Sequence, residues 1–278
     1  MTANPFLDPA RHRDLYGQPH RLANRSGALL RARTSGAPVP QTIARLATAH
    51  RESEMPFDLV ADIGCGRGTS SRILAEQLKP ARLLGLDAAP ALLADARRRT
   101  GHAPEVAFLT CDFHRLPLRD NSCDLTIAAF CLYHSPHPER VVTEIRRTLI
   151  PGGLAVLVTK SLDSYREIDA LVAAAGLDPG AEQRESLYTS AHSGNLADLA
   201  RTCLDLVDVR HERHTFRFNG HHHAAAYLAT NPKYNLAPGL YADPHAIAAA
   251  LRKSLPDQPV TTSSVVTYVT GRAQGGHA

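Results

Sequence analysis

Asp62-Ile63-Gly64-Cys65-Gly66-Arg67-Gly68-Thr69 is the stretch that decides the fold of this chain. A short apolar run, Asp58–Ile63, leads into it, and Ile73, Leu74 and Leu78 follow at helical spacing. A strand that turns into a helix through glycines has the outline of a ligand-binding turn. Glycine admits positive φ at the bend, and without a Cβ its backbone N–H can approach a ligand. The glycines stand at 64, 66 and 68, which is GxGxG and not the GxGxxG of a dinucleotide fingerprint. One acid, Asp62, precedes them. A second, Asp87, closes the next apolar run, Arg82–Leu86, where a carboxylate can accept both hydroxyls of a ribose. The alternative for the loop by itself is a tight turn without a ligand, with Asp87 capping the helix that starts near Pro90.

The surroundings extend the pattern. Further strand-length apolar runs fall at Glu105–Thr110, Asp124–Phe130 and Leu154–Thr159. Most are too apolar for a strand with one wet face, and helical segments separate them. That alternation predicts a parallel sheet covered on both faces. Between Glu139 and Leu149, residues Val141, Val142, Ile145 and Leu149 share one helix face, and Pro151-Gly152-Gly153 follows as a stop. Residues 1–56 are Arg-rich and read as two or three short helices broken by glycine and proline. Residues 161–205 read as largely helical, and Val207–Phe218 and Val260–Thr270 as two longer strands.

From Phe57 to Lys160 these ordered motifs resemble the class I S-adenosylmethionine-dependent methyltransferases. The resemblance implies that the acid-led glycine loop, including Asp62, Gly64, Cys65, Gly66 and Gly68, meets the methionine part of the cofactor. It implies that Asp87, with Ala88 beside it, holds the ribose. Asp112 then bonds the adenine amine and Phe113 covers the ring, while Phe130 ends the fourth strand of the family's core at the same site. The implied fold is α/β and Rossmann-like. It has a seven-stranded, mostly parallel sheet with helices on both faces and an antiparallel last strand. A helical N-terminal cap is expected over 1–56 and the cofactor-binding core over 57–160. Lid helices and the last two strands, 161–273, complete the same domain, and 274–278 are expected to fray.

Methyl transfer from a sulfonium needs in-line alignment and exclusion of water, and orientation alone supplies roughly 7–11 kcal/mol. An O–H or N–H acceptor also needs a base with a pKa near working pH. Parallel sheets bind ligands at the carboxyl ends of their strands. The run Phe130-Cys131-Leu132-Tyr133-His134-Ser135 lies at such an end, so His134 is the candidate base and Tyr133 the residue that positions the acceptor. His192, His211, His214 and His221-His222-His223 read as a polar region. Three adjacent histidines do not point one way, and no metal is expected. In the N-terminal segment, Tyr16 is a candidate for a cation–π contact with the sulfonium, and an arginine near it for the methionine carboxylate.

Composition narrows the functional classes. The 278 residues are 44% hydrophobic and 21% charged, an ordinary globular balance. Five cysteines without a CxxC pair suggest reduced thiols. No run approaches a membrane span, and the N-terminus shows no secretory pattern, so a cytoplasmic location is expected. The main expectation is transfer of a methyl group to O or N of a small molecule, with a specialised metabolite as the guess. RNA methylation is a second reading. The net charge of +4 supports it weakly, and 5% aromatic residues without tryptophan offer few stacking platforms. A cofactor-binding protein that does not methylate is a third. A homo-oligomer is left open.

Overall fold

The computed structural model describes residues 4–52, 54–101 and 103–274. The N-terminal elements are α1 (Pro9–Tyr16), α2 (Pro19–Ala32), β1 (Arg33–Ser35) and α3 (Val39–Ala49). Then come β2 (Leu59–Ile63), α4 (Thr69–Leu78), β3 (Arg82–Asp87), α5 (Pro90–Thr100), β4 (Val106–Thr110) and β5 (Cys123–Ala129). A 3-10 turn (Leu132–His134) leads to α6 (Pro138–Thr148), β6 (Leu149–Lys160), α7 (Arg166–Ala174) and α8 (Leu196–Arg201). The chain ends with β7 (Leu204–Phe218), α9 (His221–Leu228), α10 (Pro244–Ser254) and β8 (Val260–Ala273).

The chain divides into two compact units. The core unit contains residues 37–160, 190–211 and 266–278, and the second unit contains 1–36, 161–189 and 212–265. In the core unit the strand order is β7-β8-β6-β5-β2-β3-β4. The pairs β5–β6, β2–β5, β2–β3 and β3–β4 are parallel, and β8 runs antiparallel to β6. All five residues of β2 are buried, as a strand covered on both faces requires. At the edge, β4 buries only Phe108. The core joins Ile43, Leu46, Val60, Leu74, Leu83, Leu125, Ile127 and Tyr268.

The helices begin where the sequence punctuates them. Proline, whose missing N–H costs nothing in a first turn, opens α5, α6 and α10. Asp243 caps α10 by accepting from His245 N and Ala246 N.

Four expectations differ from the structure. Among the described residues there are eight strands, not seven, and β1 is the addition, pairing antiparallel with Thr215 and Phe216 of β7. The segment assigned to the cap does not end at residue 56. α3 belongs to the core unit because Ile43, Ala44, Leu46 and Ala47 bury against its core. Residues 190–211 also belong to the core unit, so 161–273 do not follow one path. Residues 161–205 are mostly turns outside α7 and α8, since Gly176, Pro179-Gly180 and Gly194 break the helical pattern. The expected frayed tail lies, from 275 onward, outside the described residues.

In the second unit, α2, α7, α9 and α10 share a core of Ala28, Ile168, Val172, Phe218, Leu228 and Leu251. Among the described residues no helix is long and apolar enough to cross a membrane.

Candidate active site

The glycine loop follows β2 and has positive φ at Gly64 (64°), Gly66 (53°) and Gly68 (70°). Gly68 is also the N-cap of α4. Two of these glycines stand where side chains are excluded. A Cβ on Gly64 would overlap Cys131 Cβ, and one on Gly68 would lie 2.8 Å from Ala96 Cβ. The loop is thereby pressed against the start of the turn after β5 on one side and α5 on the other. Cys65 N donates to Leu86 O at 3.1 Å, and Gly66 N donates to Asp87 Oδ2 at 2.9 Å. The Cys65 thiol is pushed up by burial and by the charges of Asp62 and Asp87, so it stays a neutral packing group.

Asp62 is buried beneath the loop. It is 1% exposed, and its Oδ2 accepts from Ser71 Oγ on α4 at 2.6 Å. Its role here is to tie β2 to α4 beneath the loop. Burial pushes its pKa up to about 7. Asp87, half-buried at the end of β3, is held from two sides. Oδ2 takes the Gly66 N–H, and Oδ1 takes Ala89 N at 2.8 Å, just before α5. The carboxylate therefore fixes the loop and forms the turn into α5. Ala88 is exposed beside it.

Beyond β4, Asp112 is exposed and Phe113 is half-buried. Asp112 Oδ1 accepts from His114 N at 2.9 Å and pairs with His114 Nδ1 at 2.7 Å. The other ring nitrogen, Nε2, lies 2.7 Å from Ser135 Oγ, which also accepts from His137 N. Burial alone would raise the Asp112 pKa, but the His114 backbone and ring hold it below the usual carboxylate value. This bridge links the loop after β4 to the loop after β5. His114 and Ser135 were not among the sequence candidates. The visible signal was a histidine two residues past the acid, a spacing that permits a local ring–carboxylate bond.

Phe130, just after β5, has φ 59°, a region costly for an aromatic residue, at about 1–3 kcal/mol. Its N–H still donates to Val158 O at 2.9 Å, and Lys160 Nζ sits 5.0 Å from the ring centroid. The bend turns the chain into the 3-10 turn that carries Tyr133 and His134. Tyr133 is buried and His134 half-buried, with ring centroids 4.9 Å apart. The structure thus gathers the Gly64–Gly68 loop, Asp87, Asp112, Phe130 and the Tyr133–His134 turn at the carboxyl ends of adjacent strands. Tyr16, on α1, belongs to the second unit, as do His214 and His221-His222-His223. Among the described residues no group of three or more His, Cys, Asp or Glu side chains is placed to hold a metal.

A parallel sheet with a glycine loop after its first central strand and acids after the next two defines a Rossmann-like domain for a nucleoside-bearing cofactor. Residues 61–157 match the family described as the methyltransferase domain. The chain is 36% identical over 111 residues to a malonyl-[acyl-carrier protein] O-methyltransferase from Marinomonas sp., covering 40% of this chain and 41% of that one. It is 39% identical over 105 residues to a trans-aconitate 2-methyltransferase from Methylobacterium nodulans, covering 37% and 39%. The matched stretch is thus well under two thirds of these curated relatives. Among solved structures, the YcgJ protein of Bacillus subtilis aligns with a TM-score of 0.57 at 17% identity, covering 85% of this chain and 98% of that one. The 4+2 cyclase SpnF aligns with a TM-score of 0.54 at 19% identity, covering 88% and 87%. Both likenesses concern the fold.

The residues present fit a nucleoside-bearing cofactor. The Asp87 carboxylate is held by two backbone N–H groups at the end of β3, where a carboxylate can accept from ribose hydroxyls. The loop beside it is bare of side chains at Gly64, Gly66 and Gly68.

Proposed function

We propose that the protein transfers a methyl group from S-adenosylmethionine to an O or N atom of a small molecule. The observation that carries this reading is the anchored Asp87 carboxylate beside the glycine loop. In this reading Asp87 binds the ribose hydroxyls, and the loop backbone follows the methionine part. Asp112, whose Oδ1 alone is engaged by His114, meets the adenine amine, with Phe113 over the ring. The bound cofactor supplies an already activated methyl group, so the protein's work is alignment, exclusion of water and, for some acceptors, proton removal. The names of the relatives support a small acidic or carbonyl-bearing acceptor: malonyl groups on a carrier protein in one case, trans-aconitate in the other.

Tyr133 positions the acceptor and His134 serves as base. A carboxylate acceptor arrives ionised and needs no base, whereas a hydroxyl or protonated amine does. His134→Ala is expected to lower turnover on an O–H or N–H acceptor while sparing cofactor affinity. Full activity of the variant, measured by conversion of the cofactor to its demethylated product, would remove His134 from the reaction.

Asp87→Ala is expected to weaken cofactor binding by about 1–3 kcal/mol, the scale of a hydrogen bond to a charged group. Calorimetry is the direct check, and unchanged affinity would end the ribose assignment. The function itself is tested with methyl-labelled S-adenosylmethionine and a lysate separated into small molecules, protein and RNA. Label in the small-molecule fraction supports the proposal. Label in RNA, or none despite confirmed cofactor binding, overturns it.

A further inference from the structure

We propose that His114 is a positioning residue for adenine recognition, holding the Asp112 carboxylate and the Phe113 ring in the places from which they meet the base. This rests on the roles proposed above for Asp112 and Phe113, and every residue involved belongs to the core unit.

Asp112 by itself is poorly suited to recognise a ligand. Its side chain is 68% exposed, on the loop after β4. A loose carboxylate there turns among rotamers, and a ligand that stops it must overcome the entropy of ordering it. His114 removes that freedom. Its backbone N–H donates to Asp112 Oδ1 at 2.9 Å, and its ring Nδ1 meets the same oxygen at 2.7 Å. Among the described residues Oδ2 takes part in no bond, so the held carboxylate offers one oxygen to an N–H donor.

The hold is more than a local turn. An acid that accepts the N–H two residues on makes an ordinary Asx turn, and any residue with a backbone N–H at 114 would complete it. The histidine ring goes further. Its Nε2 reaches Ser135 Oγ at 2.7 Å, across 21 positions of sequence. Ser135 is fully buried, and its Oγ also accepts from His137 N. The Asp112 carboxylate only accepts, so Nδ1 carries the ring proton, and in the neutral ring Nε2 accepts from the Ser135 hydroxyl. An exposed acid is thereby tied, through one ring, to a buried group in the loop after β5.

The same ring serves Phe113. The two ring centroids lie 4.7 Å apart with their planes at 78°, an edge-to-face contact that favours one orientation of the phenyl ring. One side chain therefore restrains both groups assigned to the base.

The test is calorimetric binding, on the full chain, of S-adenosylhomocysteine and of its 6-deamino analogue, in which hydrogen replaces the adenine amine. The ratio of the two affinities reads the amine contact, and a loss common to both reads the cover over the ring. The parent is expected to prefer the amine about tenfold or more. His114→Ala is expected to cut that preference about fivefold and to weaken both ligands besides. His114→Asn, whose amide can donate to Oδ1 from the place of Nδ1, is expected to restore the preference and not the common loss. His114→Phe, which keeps a ring against Phe113, is expected to do the reverse. Asp112→Ala tests the adenine role of Asp112 separately. A preference that survives Asp112→Ala ends that role, and with it the role of His114. A preference lost in Asp112→Ala but intact in His114→Ala overturns the role of His114 alone. Equal losses of both ligands in all three His114 variants also overturn it, because a purely structural residue would act that way. Thermal melting confirms that each variant folds.

Discussion

Gly64→Ala is expected to destabilise the protein by about 2–5 kcal/mol and to cost it cofactor affinity at the same time. Two effects add. Gly64 has φ 64°, and an L side chain there costs about 1–2 kcal/mol. The new Cβ would also overlap Cys131 Cβ, a contact that forces a backbone shift at a cost of about 1–3 kcal/mol. Cys131 cannot yield easily, because it is 5% exposed and its Sγ lies 3.4 Å from Ile63 O. The obstruction is a Cβ, so Cys131→Ala is expected to relieve nothing, and Cys131→Gly to recover the contact part in the double variant. Gly176 provides the control for the backbone part. Its φ is 71°, and among the described residues an added Cβ there meets nothing within 4 Å. Gly176→Ala should lose only about 1 kcal/mol. Urea unfolding of these variants separates the two effects. Equal losses at Gly64 and Gly176 would show that the loop is not pressed against Cys131. Because the shift falls on the cradle itself, cofactor affinity should drop at Gly64 and not at Gly176.

That contact also shows what the sequence conveys and what it withholds. The order of strands and helices from Asp58 to Thr159 was legible because fully buried strands and one-sided helices leave opposite signatures in apolar spacing. The glycine loop was legible because only glycine fits its φ values. The reason Gly64 must be glycine was not legible, since it depends on Cys131, distant in the chain and brought close by β2–β5 pairing. The bond between Asp62 and Ser71 was not legible for a similar cause. An acid before a glycine loop looks like a ligand group until its burial against Ser71 is known. His114 is a third case. Its link to Ser135 exists only because β4 and β5 end at the same edge of the sheet. The boundary at residue 56 failed because Arg-rich composition outweighed the apolar face of α3, whose Ile43, Leu46 and Ala47 are core residues. Acceptor choice stayed illegible because local patterns do not specify the shape of a pocket.

The buried Asp62 carboxyl makes stability depend on pH in a direction opposite to that of a surface carboxylate. Its pKa rises from 3.8 to about 7, first because burial penalises the charged form and further because Asp87 is near, while the bond from Ser71 partly offsets the rise. Between about pH 4 and pH 7 the unfolded chain has lost this proton and the folded protein still holds it. Folding therefore takes up a proton, and stability falls as pH rises through that interval, by up to about 1.4 kcal/mol per pH unit. Across the whole interval the loss approaches about 4 kcal/mol, and above the folded pKa it stops growing. Asp62→Asn removes the titration and keeps an oxygen that can accept from Ser71 Oγ. The variant is expected to match the parent near pH 4, where Asp62 is protonated, and to exceed it progressively up to about pH 7.5. Urea midpoints of both proteins, measured at about half-unit steps from roughly pH 4.5 to 8, give the comparison, and the difference between them cancels every other titrating group. Parallel curves would mean that Asp62 stays ionised throughout, held by a charge in its surroundings. A rising advantage for the Asp62→Asn variant would show that the acid beneath the glycine loop is kept at a cost in stability, and that its proton is exchanged near neutral pH.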